Sequence, residues 1–313
     1  MDHHHHHHSH LSAARYGKDN VRVLKVWRDP SNPQHQEVIE LTVGVLLEGD
    51  IEESYTKADN SPVVPTDTVK NTIYIHAKQN DVWPIELFGA TLTNHFVTRY
   101  PHIHAAHAHI IQHRWTRFNV DGKPHPHSFM RDGQETRIVD VSRRDDGSPF
   151  EITSAIKDLT VLKSTGSMFH SYHKCEYTTL KEAYDRILST DVDAQWTWLP
   201  SKVATVGAVK SLAKDGVFDA AWAGARNVTL ETFAKENSAS VQATMYNMSQ
   251  EILREFSQLG SVSYSLPNKH YFEIDLSWHK GLQNTGKNAE VYAPQSNPND
   301  LIKCTVTRNT AKL

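Results

Sequence analysis

Beyond the N-terminal His3–His8 tag, the densest run of side chains with metal or proton chemistry is histidine: His102, His104, His107 and His109, then His113, His125 and His127. Alternate residues of a strand share a face, so His102 and His104 could offer imidazoles to copper or zinc together. The segment lacks the rest of a recognised metal pattern. There is no H-E-x-x-H, and no carboxylate or thiolate follows at a fixed offset. Histidines on an interface or core strand account for the run without a metal, and that is the expectation. Cys175 and Cys304 stand far apart and form no C-x-x-C, which fits a reducing compartment better than a disulfide. No G-x-G-x-x-G marks a dinucleotide site.

Single residues are less telling. Arg186 lies among Leu180, Ala183, Tyr184, Ile187 and Leu188, which read as the apolar face of a helical turn over Thr178–Leu188. Its guanidinium points away from them, toward solvent or a ligand. Gln242 falls in the first turn of an expected helix, where unpartnered amides and the dipole favour an anion. Thr66 reads as a helix N-cap, Lys18 as a surface lysine, and Asn268 as a turn residue after Pro267. Phe169 and Val241 read as core.

The elements that must hold these residues come in two similar sets. Extended segments at Val21–Trp27 and Val38–Leu47 precede helices at Thr66–Gln79 and Ile85–Arg99, whose apolar residues recur at the 3.6-residue period. Extended segments follow at His104–Phe118 and near Ser128–Arg131. The second half offers strands near Arg137–Ser142, Leu159–Lys163 and Asp193–Trp198. One helix carries Phe218, Trp222, Ala225, Thr229 and Phe233 in register, and another Val241, Met245, Met248 and Ile252. The serines and asparagine of 237–240 break and cap between them. His270, Phe272, Ile274, Leu276 and Trp278 alternate with polar neighbours, the pattern of a half-buried strand.

Two strands, two helices and two strands in each half predict an α+β protein with antiparallel sheets covered by helix pairs on one face. Residues 1–12 are expected to be an expression tag and a disordered N-terminus, with seven of the 21 histidines inside the tag. Residues 13–146 form the first domain, and residues 147–313 the second with a C-terminal tail. Open sheet edges would pair with other copies. The net charge of −3 is spread along the chain, without the basic stripe of a nucleic-acid binder. No apolar run is long enough to predict a membrane span.

Ordered blocks along the chain resemble the urate oxidase family, fungal members above all. They include Ala14-Arg15-Tyr16-Gly17-Lys18, Ser54–Asn60, Thr66-Asp67 with Lys70-Asn71-Thr72, and His113-Arg114-Trp115. Leu159–Thr165, Asp185–Asp191, Ser240–Thr244, Leu266–Tyr271 and Trp278–Gly281 continue the match. The resemblance implies two tandem tunnelling-fold (T-fold) domains that close into barrels, two of which stack as a homotetramer. It also implies oxidation of urate by oxygen and water to 5-hydroxyisourate and hydrogen peroxide, without a cofactor.

Urate is a flat anion edged with carbonyl oxygens and ring N–H groups, so it calls for a planar cation, an amide and an aromatic face. By resemblance, Arg186 and Gln242 grip that edge, Phe169 stacks on the ring and Val241 contributes a backbone contact. Ile302 and Leu180 become pocket walls. Ground-state oxygen reacts sluggishly with closed-shell molecules, so a cofactor-free route needs an electron-rich urate and a base to make it. The resemblance assigns that proton relay to Thr66, Lys18 and His270, with Asp67 fixing the local geometry. Asn268 and Thr66 would line the site for oxygen and the attacking water. Lys18, Thr66 and Asp67 come from the first half and the others from the second, and the family's site joins the two groups across a subunit interface.

Two other classes compete. A zinc-dependent T-fold cyclohydrolase would need a Cys/His set that Cys175 does not find. A non-catalytic purine binder would have no reason to keep Lys18, Thr66, Asn268 and His270. The final Ala311-Lys312-Leu313 is similar to the S-K-L address and predicts a peroxisomal location. Partners expected are urate, oxygen and other copies of the chain, with no nucleic acid and no membrane.

Overall fold

In the computed structural model, which describes residues 8–309, the first half unfolds its logic in strand pairing. Ala311-Lys312-Leu313 lies outside the described residues. The elements are β1 (Tyr16–Arg28), β2 (Gln36–Gly49), α1 (Glu52–Thr56), α2 (Thr66–Gln79), α3 (Ile85–Arg99), β3 (Ile103–His113), β4 (Thr116–Val120), β5 (Lys123–Met130) and β6 (Thr136–Arg144). They continue as β7 (Glu151–Phe169), β8 (Ala183–Trp198), α4 (Val206–Lys214), α5 (Val217–Lys235), α6 (Val241–Glu255), β9 (Leu259–Glu273) and β10 (Tyr292–Thr307). Backbone contacts divide them into two compact units. One runs to Ser154 and includes Trp198–Asp219, and the other holds Ala155–Thr197 and the chain from Ala220.

In the first unit the strand order is β1-β2-β3-β6, with antiparallel registers such as Val21↔Val43, Val45↔Ala108 and Ala108↔Val141. Strand β2 buries Ile39, Leu41, Val43, Val45 and Leu47 at alternate positions, because period two sends them all to one face. Helices α2 and α3 cover that face. Helix α2 packs on β1, and α3 packs on β3 and β6. Val69, Ile73 and Ala77 are the buried stripe of α2, and Ile85, Phe88, Leu92 and Phe96 that of α3, each large side chain contributing roughly 1.5–3 kcal/mol by burial. Gly89 lets α3 come close to the sheet, since a Cβ there would lie 2.6 Å from Val141 Cγ2.

The second unit has the order β7-β8-β9-β10, with α6 on β9 and β10. Helix α5 meets β9 where Thr229 and Tyr264 share a buried hydroxyl–hydroxyl bond of 2.7 Å. In each unit a cation at an edge strand, on it or just past its end, closes a helix C-terminus. Lys25 of β1 donates to the carbonyls of Ala77 in the last turn of α2 and of Asn80 just past it. Arg308, just past β10, donates to those of Leu253 in the last turn of α6 and of Phe256 just past it. Cations stabilise helix ends through exposed carbonyls and the dipole.

The α+β class and the repeated strand–helix–strand order hold, while several expectations of detail do not. Thr178–Leu188 is no helical turn. Residues 170–182 are irregular, and β8 begins at Ala183 because its backbone pairs with neighbouring strands, an outcome that apolar spacing over ten residues cannot anticipate. The strand expected through Trp278 ends at Glu273, where pairing with Tyr292 stops. Its buried alternation falls at Val262, Tyr264, Leu266 and Asn268, whereas Phe272 is 53% and Trp278 79% exposed. The long segment His104–Phe118 breaks at Arg114 and Trp115 into β3 and β4. Pro65, not Thr66, occupies the cap position of α2, and Thr66 is its first residue. Both cysteines are free thiols. Among the described residues no helix is long and apolar enough to cross a membrane.

Candidate active site

The second unit builds its part of the site around the joint between β7 and β8. The Asp185 carboxylate accepts from the Thr165 hydroxyl at 2.8 Å and the Gly166 amide at 2.9 Å, and the Gly166 bond helps hold it below the usual carboxylate range. This locks Arg186 beside Ser167, whose Oγ accepts from Arg186 Nε at 3.2 Å. The Arg186 guanidinium then lies over the Phe169 ring, 5.6 Å from its centroid. Burial pushes its pKa down while the Asp300 carboxylate opposes the shift; an arginine stays charged regardless.

The start of α6 is stitched to the same place. Ser167 and Ser238 form a parallel bridge, with Met168 N donating to Ser238 O at 2.9 Å and Ser238 N to Gly166 O at 3.0 Å. Ser240 caps α6 by accepting from Ala243 N at 3.2 Å. The amides of buried Val241 and exposed Gln242 therefore have no carbonyl ahead of them within the helix. A planar anion held on Phe169 would meet donors of the kind it needs.

Asn268 and His270 come from β9. They share with Arg186, Asp300, Ser164 and Tyr292 the lining of a cleft of about 540 Å³. Asn268 is 4% exposed, and its side-chain Oδ1 is buried with no hydrogen-bond partner. Leaving such an atom unpaired costs about 1–3 kcal/mol, which a small polar guest would relieve. His270 Nε2 lies 3.4 Å from Asp300 Oδ1, brought there where the β9–β10 register shifts between Gln295 and Asp300. Ile302 pairs with Leu266 in register. Leu180, expected as a pocket wall, is 63% exposed in the loop before β8.

The first unit gathers the remaining residues. Lys18 is half-buried on β1, beside a bulge where Asn20 takes a left-handed φ of 56°. Tyr16 ties this strand to the segment before α2, its hydroxyl accepting from Val64 N at 2.8 Å. Tyr16 stands two residues before Lys18, and Val64 two before Thr66. One hydrogen bond thus ties β1 to the segment that leads into the first turn of α2. Asp67 accepts from Lys70 Nζ at 2.8 Å, and that bond, with help from the nearby Lys18 charge, keeps its carboxyl below the ordinary range. Thr66 is exposed at the head of the helix.

The histidines of β3 are engaged singly. His104 bridges Asp145 at 2.6 Å and Asp50 at 2.9 Å, His107 bonds Ser142 and Glu48, and His109 bonds Asp140 at 2.6 Å. No group of three or more His, Cys, Asp or Glu side chains is arranged to hold a metal ion among the described residues.

A sequence model of the uricase family matches residues 14–142 and 152–303. The chain is 62% identical over 304 residues to the uricase of Aspergillus flavus, covering 97% of this chain and 99% of that one. It is 55% identical over 298 residues to the uricase of Cyberlindnera jadinii, covering 95% and 97%. The crystal structure of Arthrobacter globiformis uricase superposes with a TM-score of 0.84 at 34% identity, over 96% of this chain and 95% of that one. The chain belongs to the uricase family.

The uricase match contains both groups of site residues. Lys18, Thr66 and Asp67 fall in its first segment, and Phe169, Arg186, Val241, Gln242, Asn268 and His270 in its second. The architecture matches the uricase T-fold, and the two matched segments suggest tandem domains. Reading the sequence did not single out Tyr16, Ser167, Asp185 or Ser238 as residues that hold these elements together in this chain. Tyr16 and Asp185 sit inside blocks that carried the resemblance, and Ser238 in the 237–240 break between helices.

Proposed function

We propose that this chain oxidises urate with molecular oxygen and water to 5-hydroxyisourate and hydrogen peroxide, a step of purine catabolism, and uses no cofactor. The observation that carries the reading is the Arg186 guanidinium 5.6 Å above the Phe169 ring, in a unit where α6 offers first-turn amides and Asn268 an unpaired Oδ1. A fork of paired donors over an aromatic face fits a flat anion with carbonyls on its edge. Arg186 and Gln242 grip that edge, the Val241 backbone adds a contact, and Phe169 stacks on the ring.

Thr66, Lys18 and His270 then take the second proton from bound urate. A threonine hydroxyl is too poor a base to act alone; as it takes the proton from urate it gives its own to the Lys18 amine or the His270 imidazole. The electron-rich dianion gives electrons to oxygen held near Asn268 and Thr66, and water adds afterwards to the oxidised ring. Asp67 orients Thr66 from the same helical turn. As the family resemblance implies, the working form is a homotetramer whose sites join the relay group of one copy to the gripping group of another. The Ala311-Lys312-Leu313 ending supports delivery to peroxisomes, where peroxide is handled.

The test follows loss of urate's ultraviolet absorbance and formation of peroxide, with and without a strong chelator. Equimolar peroxide at a rate indifferent to chelator is the expected result. Activity abolished by chelator would move the chemistry to a metal, and no turnover would leave a purine binder.

A further inference from the structure

The irregular segment between Phe169 and Ala183 is organised around one carboxylate that the proposed reaction does not use. Glu182 Oε1 accepts from the Ser171 amide at 2.9 Å and from Lys174 Nζ at 2.7 Å. Its Oε2 accepts from the Tyr184 hydroxyl at 2.9 Å. Two donors from the loop and one from the start of β8 converge on a half-buried side chain.

Each bond acts on the neighbourhood of Phe169. Ser171 takes a left-handed φ of 60°, a conformation that a residue with a Cβ adopts only when its surroundings hold it there. The bond from its amide to Glu182 is one such hold. The turn at Ser171 brings Tyr172 edge-on to Phe169, ring centroids 4.9 Å apart at 82°. Lys174 lies over the Tyr172 ring at 5.1 Å, and the Tyr172 hydroxyl donates to Leu180 O. On the other side His170 stacks on Tyr184 at 4.8 Å. Phe169 is thus backed by a ring whose place depends on the loop, and the loop closes on Glu182.

We propose that Glu182 is a positioning residue: by clamping the turn at Ser171 it fixes the Phe169 ring in the orientation that stacks on substrate. The inference rests on the reading of Phe169 as the stacking face. Lys174 and the Ser171 amide hold the Glu182 carboxyl at about 2, far below neutral pH, so the clamp stays charged throughout the working range.

Stacking contributes to substrate and transition state alike, so its loss raises KM more than it lowers kcat. The experiment compares wild type, Glu182→Ala, Glu182→Gln, Phe169→Ala and the double variant Glu182→Ala with Phe169→Ala. We expect Glu182→Ala to raise KM for urate about tenfold, the scale of losing hydrogen bonds to a charged group, with kcat changed little. Glu182→Gln, which keeps an acceptor for the Ser171 amide, recovers part of the loss. In the Phe169→Ala background, Glu182→Ala adds nothing further, since residues acting through one contact are not additive. Additive losses, or a fall in kcat at constant KM, would overturn the clamp while leaving urate oxidation intact. A wild type that does not consume urate would remove the functional reading, and this inference with it.

Discussion

At the scale of single residues, the two halves of the site ask different things of their side chains. Arg186 is held by one neutral hydrogen bond to Ser167 and a ring beneath it, leaving its remaining donors for a ligand. Lysine at this position keeps the charge and loses the fork. Arg186→Lys is therefore expected to weaken binding of urate or a ring analogue by about 1.5–3 kcal/mol, the worth of hydrogen bonds to a charged group, as measured by titration calorimetry. The relay residues predict the opposite split. Thr66→Ala and Lys18→Ala should cut kcat by orders of magnitude and leave analogue affinity nearly intact, and equal losses in both quantities would refute their assignment to proton transfer. Sequence could name these residues by resemblance alone. It could not show that Asn268 Oδ1 is buried and unpaired, because burial of one polar atom depends on every strand around it.

At the scale of elements, helices α2 and α3 carry a pH sensor for stability. His76 and His95 face each other at 4.3 Å between ring centroids, and burial with the His76 neighbour lowers His95 to about 4. Burial lowers His76 as well. The unfolded chain protonates both near the ordinary value of about 6.5, so protons favour unfolding between that value and 4. The contribution is complete above pH 6.5 and is lost as pH falls through this window. His95→Asn should flatten the fall of thermal midpoint between pH 7 and 4, read by calorimetry; an unchanged slope would show that other groups govern it. Helix α3 offers a packing test too. Gly89→Ala gains helix propensity but drives a methyl to within 2.6 Å of Val141 Cγ2. It should destabilise by about 1–3 kcal/mol, with Val141→Ala in the same chain restoring most of the loss in denaturant melts.

At the scale of the whole molecule, the proposed sharing of sites between copies has a direct consequence. A Lys18→Ala chain and an Arg186→Ala chain, each inactive alone, should regain activity when unfolded together and refolded as a mixture. In mixed assemblies some sites draw the relay group from one copy and the gripping group from the other. No recovery would place both groups of a working site on one chain. Specific activity should also fall on dilution once the assembly dissociates, since association follows mass action.

What the sequence by itself determined is whatever is written locally or in ordered blocks. Helices α2, α3 and α6 and strand β2 carry their own periodicity, and their limits follow from it within a few residues. The family was legible because blocks from Ala14 to Gly281 keep their order, and the site residues came with those blocks. Only the tertiary structure decided that Arg186 stands on a strand, that β9 ends at Glu273 and that β10 exists at all. It also joined Ser167 to Ser238 and the Ser171 turn to Glu182. Each of these rests on hydrogen bonds between residues distant in the chain or on competition among neighbouring strands. A short window of sequence contains only one of the partners.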